Sequence, residues 1–131
     1  MINIFAIWKS DRFISAAKEI FSERNIHIAG ICTNPENAVE DFRNCEPRPD
    51  ILLLDANWEN STIPSSITLR KFLSIEPVKI ILTTTFFEQH DLNSFKSMEV
   101  KGSFHRTQSI NEIVNCINDV NNNELSFAGK R

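Results

Sequence analysis

The segment Pro49-Asp50-Ile51-Leu52-Leu53-Leu54-Asp55 constrains this chain more than any other. Its aliphatic run has no alternation of apolar and polar residues. Such a run reads as a strand buried on both faces, the hallmark of a parallel sheet covered by helices. Parallel neighbours also require crossover connections, so helical segments should separate the strands. In an open α/β sheet, the carboxyl end of a central strand is where ligands and chemistry sit. Asp55 is therefore a reactive group at a sheet edge or the relic of one.

Strand and helix signals alternate along the whole chain. Ile2 to Ile7 reads as a first strand. Ser10 then caps a helix with Phe13, Ala16, Ala17, Ile20 and Phe21 on one stripe. Ile26 to Thr33 is a second strand, and Asn34 with Pro35 starts a helix carrying Ala38, Val39 and Phe42. After the third strand, Asp50 to Asp55, a polar loop runs from Ala56 to Pro64. A third helix follows, with Leu69, Phe72 and Leu73. Val78 to Thr83 is the fourth strand. Phe87 to Ser97 is a short, polar fourth helix with Leu92 and Phe95 facing inward, and Lys101 to Arg106 is a fifth strand. Ser109-Ile110-Asn111-Glu112 is a capping box that opens a fifth helix. Ile110, Ile113, Val114, Ile117 and Val120 recur there at helical spacing, and Asn121-Asn122-Asn123 ends it. The expected fold is α/β: a flavodoxin-like (βα)5 domain, doubly wound, with a parallel five-stranded sheet in the order 2-1-3-4-5.

The 131 residues suit one domain. A net charge of −3 gives no electrostatic footprint for nucleic acid, so no direct nucleic-acid binding is expected. No apolar run is long enough to span a bilayer, and Met1-Ile2-Asn3-Ile4-Phe5 lacks the features of a signal peptide. Cys32, Cys45 and Cys116 are odd in number and widely spaced, which points to reduced thiols in a cytoplasmic protein. Cys32 and Cys116 fall in apolar patterns and are expected in the core.

The order and spacing of three segments resemble the receiver domain of two-component response regulators over nearly the whole chain. These segments are Pro49 to Asp55, Lys79-Ile80-Ile81-Leu82-Thr83-Thr84, and Lys101-Gly102-Ser103-Phe104-His105-Arg106. The similarity is closest to bacterial receivers that precede a LuxR-type helix-turn-helix domain. The resemblance implies that Asp55 is the phospho-acceptor position. It implies that Thr83 contacts a phosphoryl oxygen and that Arg106 stands where a lysine pairs with the phosphoryl group. Two acidic residues at the end of the first strand would hold Mg²⁺, with help from the main chain at Asn57.

Those acidic positions are Trp8 and Lys9. Mg²⁺ is a hard cation that takes oxygen ligands, and neither side chain supplies one. Lys9 near Asp55 would instead form an ion pair. Asp11, in the first helical turn, and Glu59, on the loop beside Asp55, do not restore an acidic pair. Trp58-Glu59 replaces the family's Met-Pro, and the loop is about two residues longer, a difference short loops tolerate. Ser103 stands where an aromatic switch residue is usual, with Phe104 beside it. Among the histidines, His105 lies nearest the site edge, while His27 and His90 are scattered. None makes a catalytic set with Asp55, so an enzyme in its own right is not expected.

The expectation is an atypical receiver that lacks a bound cofactor, its Mg²⁺ binding lost and its Asp55 phosphorylation impaired. It would act in signal transduction and transcription regulation through protein contacts: a histidine kinase, an output domain, or a second copy meeting it through a helix face. Residues 1–124 would form the receiver-like domain. Residues 125–131 would be a tail, or the start of a linker to a DNA-binding domain. One alternative keeps Asp55 as a working phospho-acceptor, with Lys9 and Arg106 as a cationic clamp. Another is a small-ligand sensor in which Trp8 and Trp58 line a pocket.

Overall fold

The computed structural model describes residues 1–8, 12–33, 37–55, 71–75, 78–84, 100–105 and 108–127, without the side chains of 12–14, 84 and 105. Its strands are β1 (Ile2–Ile7), β2 (Ile26–Cys32), β3 (Ile51–Asp55), β4 (Lys79–Thr84), β5 (Val100–His105) and β6 (Ser126–Phe127). Its helices, among the described residues, are α1 (Arg12–Glu23), α2 (Ala38–Arg43) and α3 (Ile110–Asn121). Residues 71–73 are also helical, within the third expected helix. The fourth expected helix, the loop from 56 to 64, and the caps at Ser10 and Asn34 lie outside the described residues.

All six strands form one sheet, ordered β2-β1-β3-β4-β5-β6, and every pair is parallel. The expected α/β order 2-1-3-4-5 is present. A sixth strand extends it, because Ser126 and Phe127 pair with Gly102 and Ser103. This strand lies within the segment read from sequence as a tail. Its cause is the end of α3. Asn122 is the C-cap, and Asn123 takes the left-handed conformation at φ 68°. The Asn123 N–H donates to Val120 and the Glu124 N–H donates to Asp119. These two bonds make a Schellman turn, which satisfies the last helical carbonyls and returns the chain to the sheet edge. Asparagine tolerates positive φ better than most residues, which accounts for the helix ending in the asparagine run.

At the other end of α3 the expected capping box is formed. Ser109 Oγ accepts from the Glu112 N–H at 3.2 Å, and Glu112 Oε1 accepts from the Ser109 N–H at 3.2 Å. In α2 the N-cap Asn37 makes no side-chain cap bond. Tertiary contact holds it instead: Ala38 and Phe42 are fully buried.

Side chains on successive strand positions point to opposite faces, and this divides the core in two. On one face Ile4, Ala6, Leu53 and Ile81 pack with Ala17 and Phe21 of α1 and Ile113 and Ile117 of α3. On the other, Phe5, Leu52, Ile80 and Leu82 pack with Phe42 of α2 and with Phe72. Phe42 stands edge-on to both Phe5 and Phe72, with ring centroids 5.6 and 5.4 Å away. All three thiols are buried, including Cys45, whose surroundings in sequence are too polar to announce it.

Two predictions follow from the packing at β5. A Cβ at Gly102 would sit 2.7 Å from the Ser126 carbonyl oxygen and 2.8 Å from Val120 Cγ2. Gly102→Ala should therefore lower stability in urea unfolding by about 1–3 kcal/mol, the usual cost of overpacking. A variant as stable as the parent would mean that β6 moves away freely.

The second concerns Cys116. Burial pushes its thiol up from 9.0 to about 11, with the Asp119 charge adding and contacts to Ser126 and Ser103 opposing. The folded state holds the proton more tightly than the unfolded chain. This contribution is therefore complete below pH 9 and is lost as pH rises towards about 11. Its size is on the order of 3 kcal/mol. Unfolding midpoints measured across this alkaline window should fall less in Cys116→Ala than in the parent.

Candidate functional site

The carboxyl ends of the central strands meet at one edge of the sheet. Asp55, the last residue of β3, is in register with Thr83 of β4, and Thr83 is in register with Phe104 of β5. On the other side, Ile7 of β1 is in register with Leu54, so the next step brings Trp8 level with Asp55. The side-chain alternation places these residues on a common face. Trp8 continues the series Ile4 and Ala6, Asp55 continues Ile51 and Leu53, and Thr83 continues Ile81, all on the side covered by α1 and α3.

The described residues of this edge are buried. Asp55 and Thr83 are 0% exposed, Phe104 is 1% and Trp8 is 4%. The Trp8 indole belongs to the apolar cluster under α1 and α3, and its backbone N–H donates to the Cys32 carbonyl at 3.0 Å. A buried indole offers one N–H donor and no oxygen. Where the receiver resemblance implies a metal-binding carboxylate, this chain carries an aromatic ring. Among the described residues Trp8 therefore supplies no ligand to Mg²⁺, which takes oxygen ligands in near-octahedral geometry. Lys9, at the second acidic position, lies outside the described residues, and an ammonium group is no metal ligand.

Thr83 differs. Its Oγ1 is buried without a hydrogen-bond partner. A buried hydroxyl without a partner carries a desolvation cost. The hydroxyl position implied by the receiver resemblance is therefore present, one strand from Asp55.

The switch position is altered by parity. Ser103 is in register with Leu82 and Phe104 with Thr83, so they occupy opposite faces of β5. A shift of one residue along a strand moves a side chain to the other side of the sheet. Phe104 consequently packs into the core beside the site and does not take the place of the aromatic that is absent at 103. Ser103 Oγ, like Thr83 Oγ1, is buried and unpartnered.

Trp8, Asp55 and Thr83 thus lie together at this edge. Lys9, Asp11, Asn57, Trp58, Glu59, His90 and Arg106 lie outside the described residues, as does the His105 side chain, so the expected ion pair and the Trp8/Trp58 pocket fall there too. His27 is exposed on β2, at the far end of the strand from the site. Among the described residues, no three His, Cys, Asp or Glu side chains converge as a metal-binding group. Lys79 and Lys101, which no local sequence pattern marks as site residues, both line cavities at the opposite end of the sheet.

No family model matches the chain. No curated protein matches it either. Solved structures do match. A two-component response regulator of the LuxR family from Aurantimonas sp. SI85-9A1 superposes with a TM-score of 0.78 at 14% identity, covering 97% of this chain and 89% of that one. The non-phosphorylated receiver domain of the stress response regulator RcsB from Escherichia coli gives 0.76 at 10% identity, over 96% and 97%. A CheY-like response regulator receiver domain protein from Methanospirillum hungatei JF-1 gives 0.72 at 12% identity, over 94% and 95%. The chain has the α/β fold of response-regulator receiver domains.

The unpartnered hydroxyl yields a direct test. Thr83→Val keeps the side-chain shape and removes the group whose burial is uncompensated. The variant should be more stable than the parent in urea unfolding, by about 1–3 kcal/mol. A loss of stability would show that the hydroxyl is bonded in the folded protein.

Proposed function

We propose that this chain is an atypical receiver domain, working in two-component signal transduction and transcription regulation through protein–protein contacts, with Mg²⁺-dependent phosphorylation of Asp55 impaired. The observation that carries this reading is Trp8: an indole buried to 4% exposure where the receiver resemblance calls for a metal-binding acid. Phosphoryl transfer to a carboxylate spreads negative charge over the equatorial oxygens, and in working receivers the bound metal neutralises it. Here Trp8 contributes only apolar surface and one N–H. Thr83 can donate one neutral hydrogen bond, which is far weaker compensation than a divalent cation.

The domain is in this reading a regulatory module and not an enzyme. It binds neither nucleic acid nor membrane itself. Its partners are a histidine kinase or an output domain, and a second copy of the chain. The LuxR-family neighbour supports the transcriptional side of this assignment. Control without phosphorylation would come from a partner that binds one conformation preferentially.

One observation favours a second reading, in which Asp55 still accepts a phosphoryl group. In this reading the unpartnered Thr83 hydroxyl, in register with Asp55, would donate to a phosphoryl oxygen. The two readings separate in a single experiment. The chain is incubated with acetyl phosphate and Mg²⁺ and its intact mass is measured, with Asp55→Asn as control. Transfer would form a bond from an Asp55 oxygen to phosphorus as acetate leaves. The expected result is no phosphoryl adduct in either protein. An adduct in the parent that is missing from the control would establish the phospho-acceptor reading.

A further inference from the structure

Far from Asp55, at the amino-terminal end of the sheet, two adjoining cavities of about 420 and 150 Å³ share two walls, Lys79 and Lys101. The larger is within the size range of small-molecule sites. Its apolar lining comes from Pro49, Leu73 and Val78. The smaller ends at Leu125, which is 56% exposed, one of few large apolar side chains that the described surface leaves open to water.

The two lysines are placed differently. Lys79 opens β4, and its Nζ donates to the Asn121 carbonyl at 2.9 Å. That contact puts a cation at the C-terminus of α3, a favourable place in itself. An ammonium group has three donors, so Lys79 retains two. Lys101 has no such structural employment. Among the described residues its amino group has no hydrogen-bond or ion-pair partner. Its position also departs from a regular ladder. Ile80 pairs with Val100 and Ile81 pairs with Gly102, leaving Lys101 as the extra residue of a bulge. Bulges re-aim a side chain, and here the re-aimed group lines both cavities. The nearby carboxylates do not cancel the pair. Asp50 lines only the larger cavity, and its Oδ2 accepts the Asn3 N–H at 2.8 Å. Glu124 lines only the smaller one.

We propose that this end of the sheet is a binding site for a small organic oxyanion with an apolar body, a carboxylate or a phosphate monoester. The anionic head sits between Lys79 and Lys101, and the apolar body lies on Leu73 and Val78. Lysine ammonium groups act as compact point charges and suit either oxyanion. This site is independent of the state of Asp55 and of the metal question at the other edge.

The test is a titration of the ¹⁵N-labelled chain with hexanoate, hexyl phosphate, hexanamide and inorganic phosphate, followed through backbone amide shifts. Hexanoate or hexyl phosphate should give saturable shifts centred on Lys79, Lys101, Gly102 and Asn121, and the tighter of the two identifies the head group. Hexanamide, which lacks the charge, should not saturate. Lys101→Gln and Lys79→Gln should each weaken binding about tenfold, the equivalent of one charge-assisted hydrogen bond. Lys18→Gln, on exposed α1 surface, should bind as the parent does. The proposal is overturned if neither anion saturates, if hexanamide binds as well as hexanoate, or if Lys101→Gln titrates like the parent. Inorganic phosphate binding as tightly as hexyl phosphate would remove the apolar body from the proposal and so overturn it as stated.

Discussion

Strand β3 has no contact with solvent at any of its five residues, from Ile51 to Asp55. Its backbone pairs with β1 on one side and β4 on the other, and its side chains enter both halves of the core. The remaining elements are consequences of that burial. A strand with two dry faces needs a layer on each, and α1 with α3 supplies one while α2 and the helical residues 71–73 supply the other. Parallel pairing then forces every connection to cross over, and right-handed crossovers leave few strand orders open.

The same burial gives Asp55 its character. A carboxylate at the end of a dry strand is held away from water, and its neighbours decide what it can do. In this chain the neighbour across β1 is an indole and the neighbour across β4 is a hydroxyl. The two neighbours differ chemically: the indole offers one N–H and no oxygen, and the hydroxyl can donate or accept. A shared fold does not by itself carry over the chemistry of a site.

The two ends of the sheet also differ in how charge is used. At the carboxyl edge Asp55, Thr83 and Ser103 are buried. At the amino edge, lysines from adjacent strands border open cavities with apolar walls, and a bulge in β5 turns one of them there. The bulge lies in β5, and the short β6 strand pairs with the same strand. Gly102 permits that pairing, since any side chain there would meet the Ser126 carbonyl.

Much of this architecture was legible in the residues alone. The apolar run before Asp55, the β-branched second strand and the Ser109–Glu112 capping box are local signals, set by periodicity and by the hydrogen-bonding habits of single side chains. The absence of an acidic pair before the first helix was equally legible, because it is a matter of which atoms Trp8 and Lys9 possess. Other features depended on the folded chain. The burial of Cys45 comes from contacts distant in sequence, among them its approach to Gly30. The unpartnered hydroxyls of Thr83 and Ser103, the opposite faces taken by Ser103 and Phe104, the sixth strand, and the sharing of two cavities by Lys79 and Lys101 all follow from strand register. Register is settled between segments dozens of residues apart, so no local pattern encodes it.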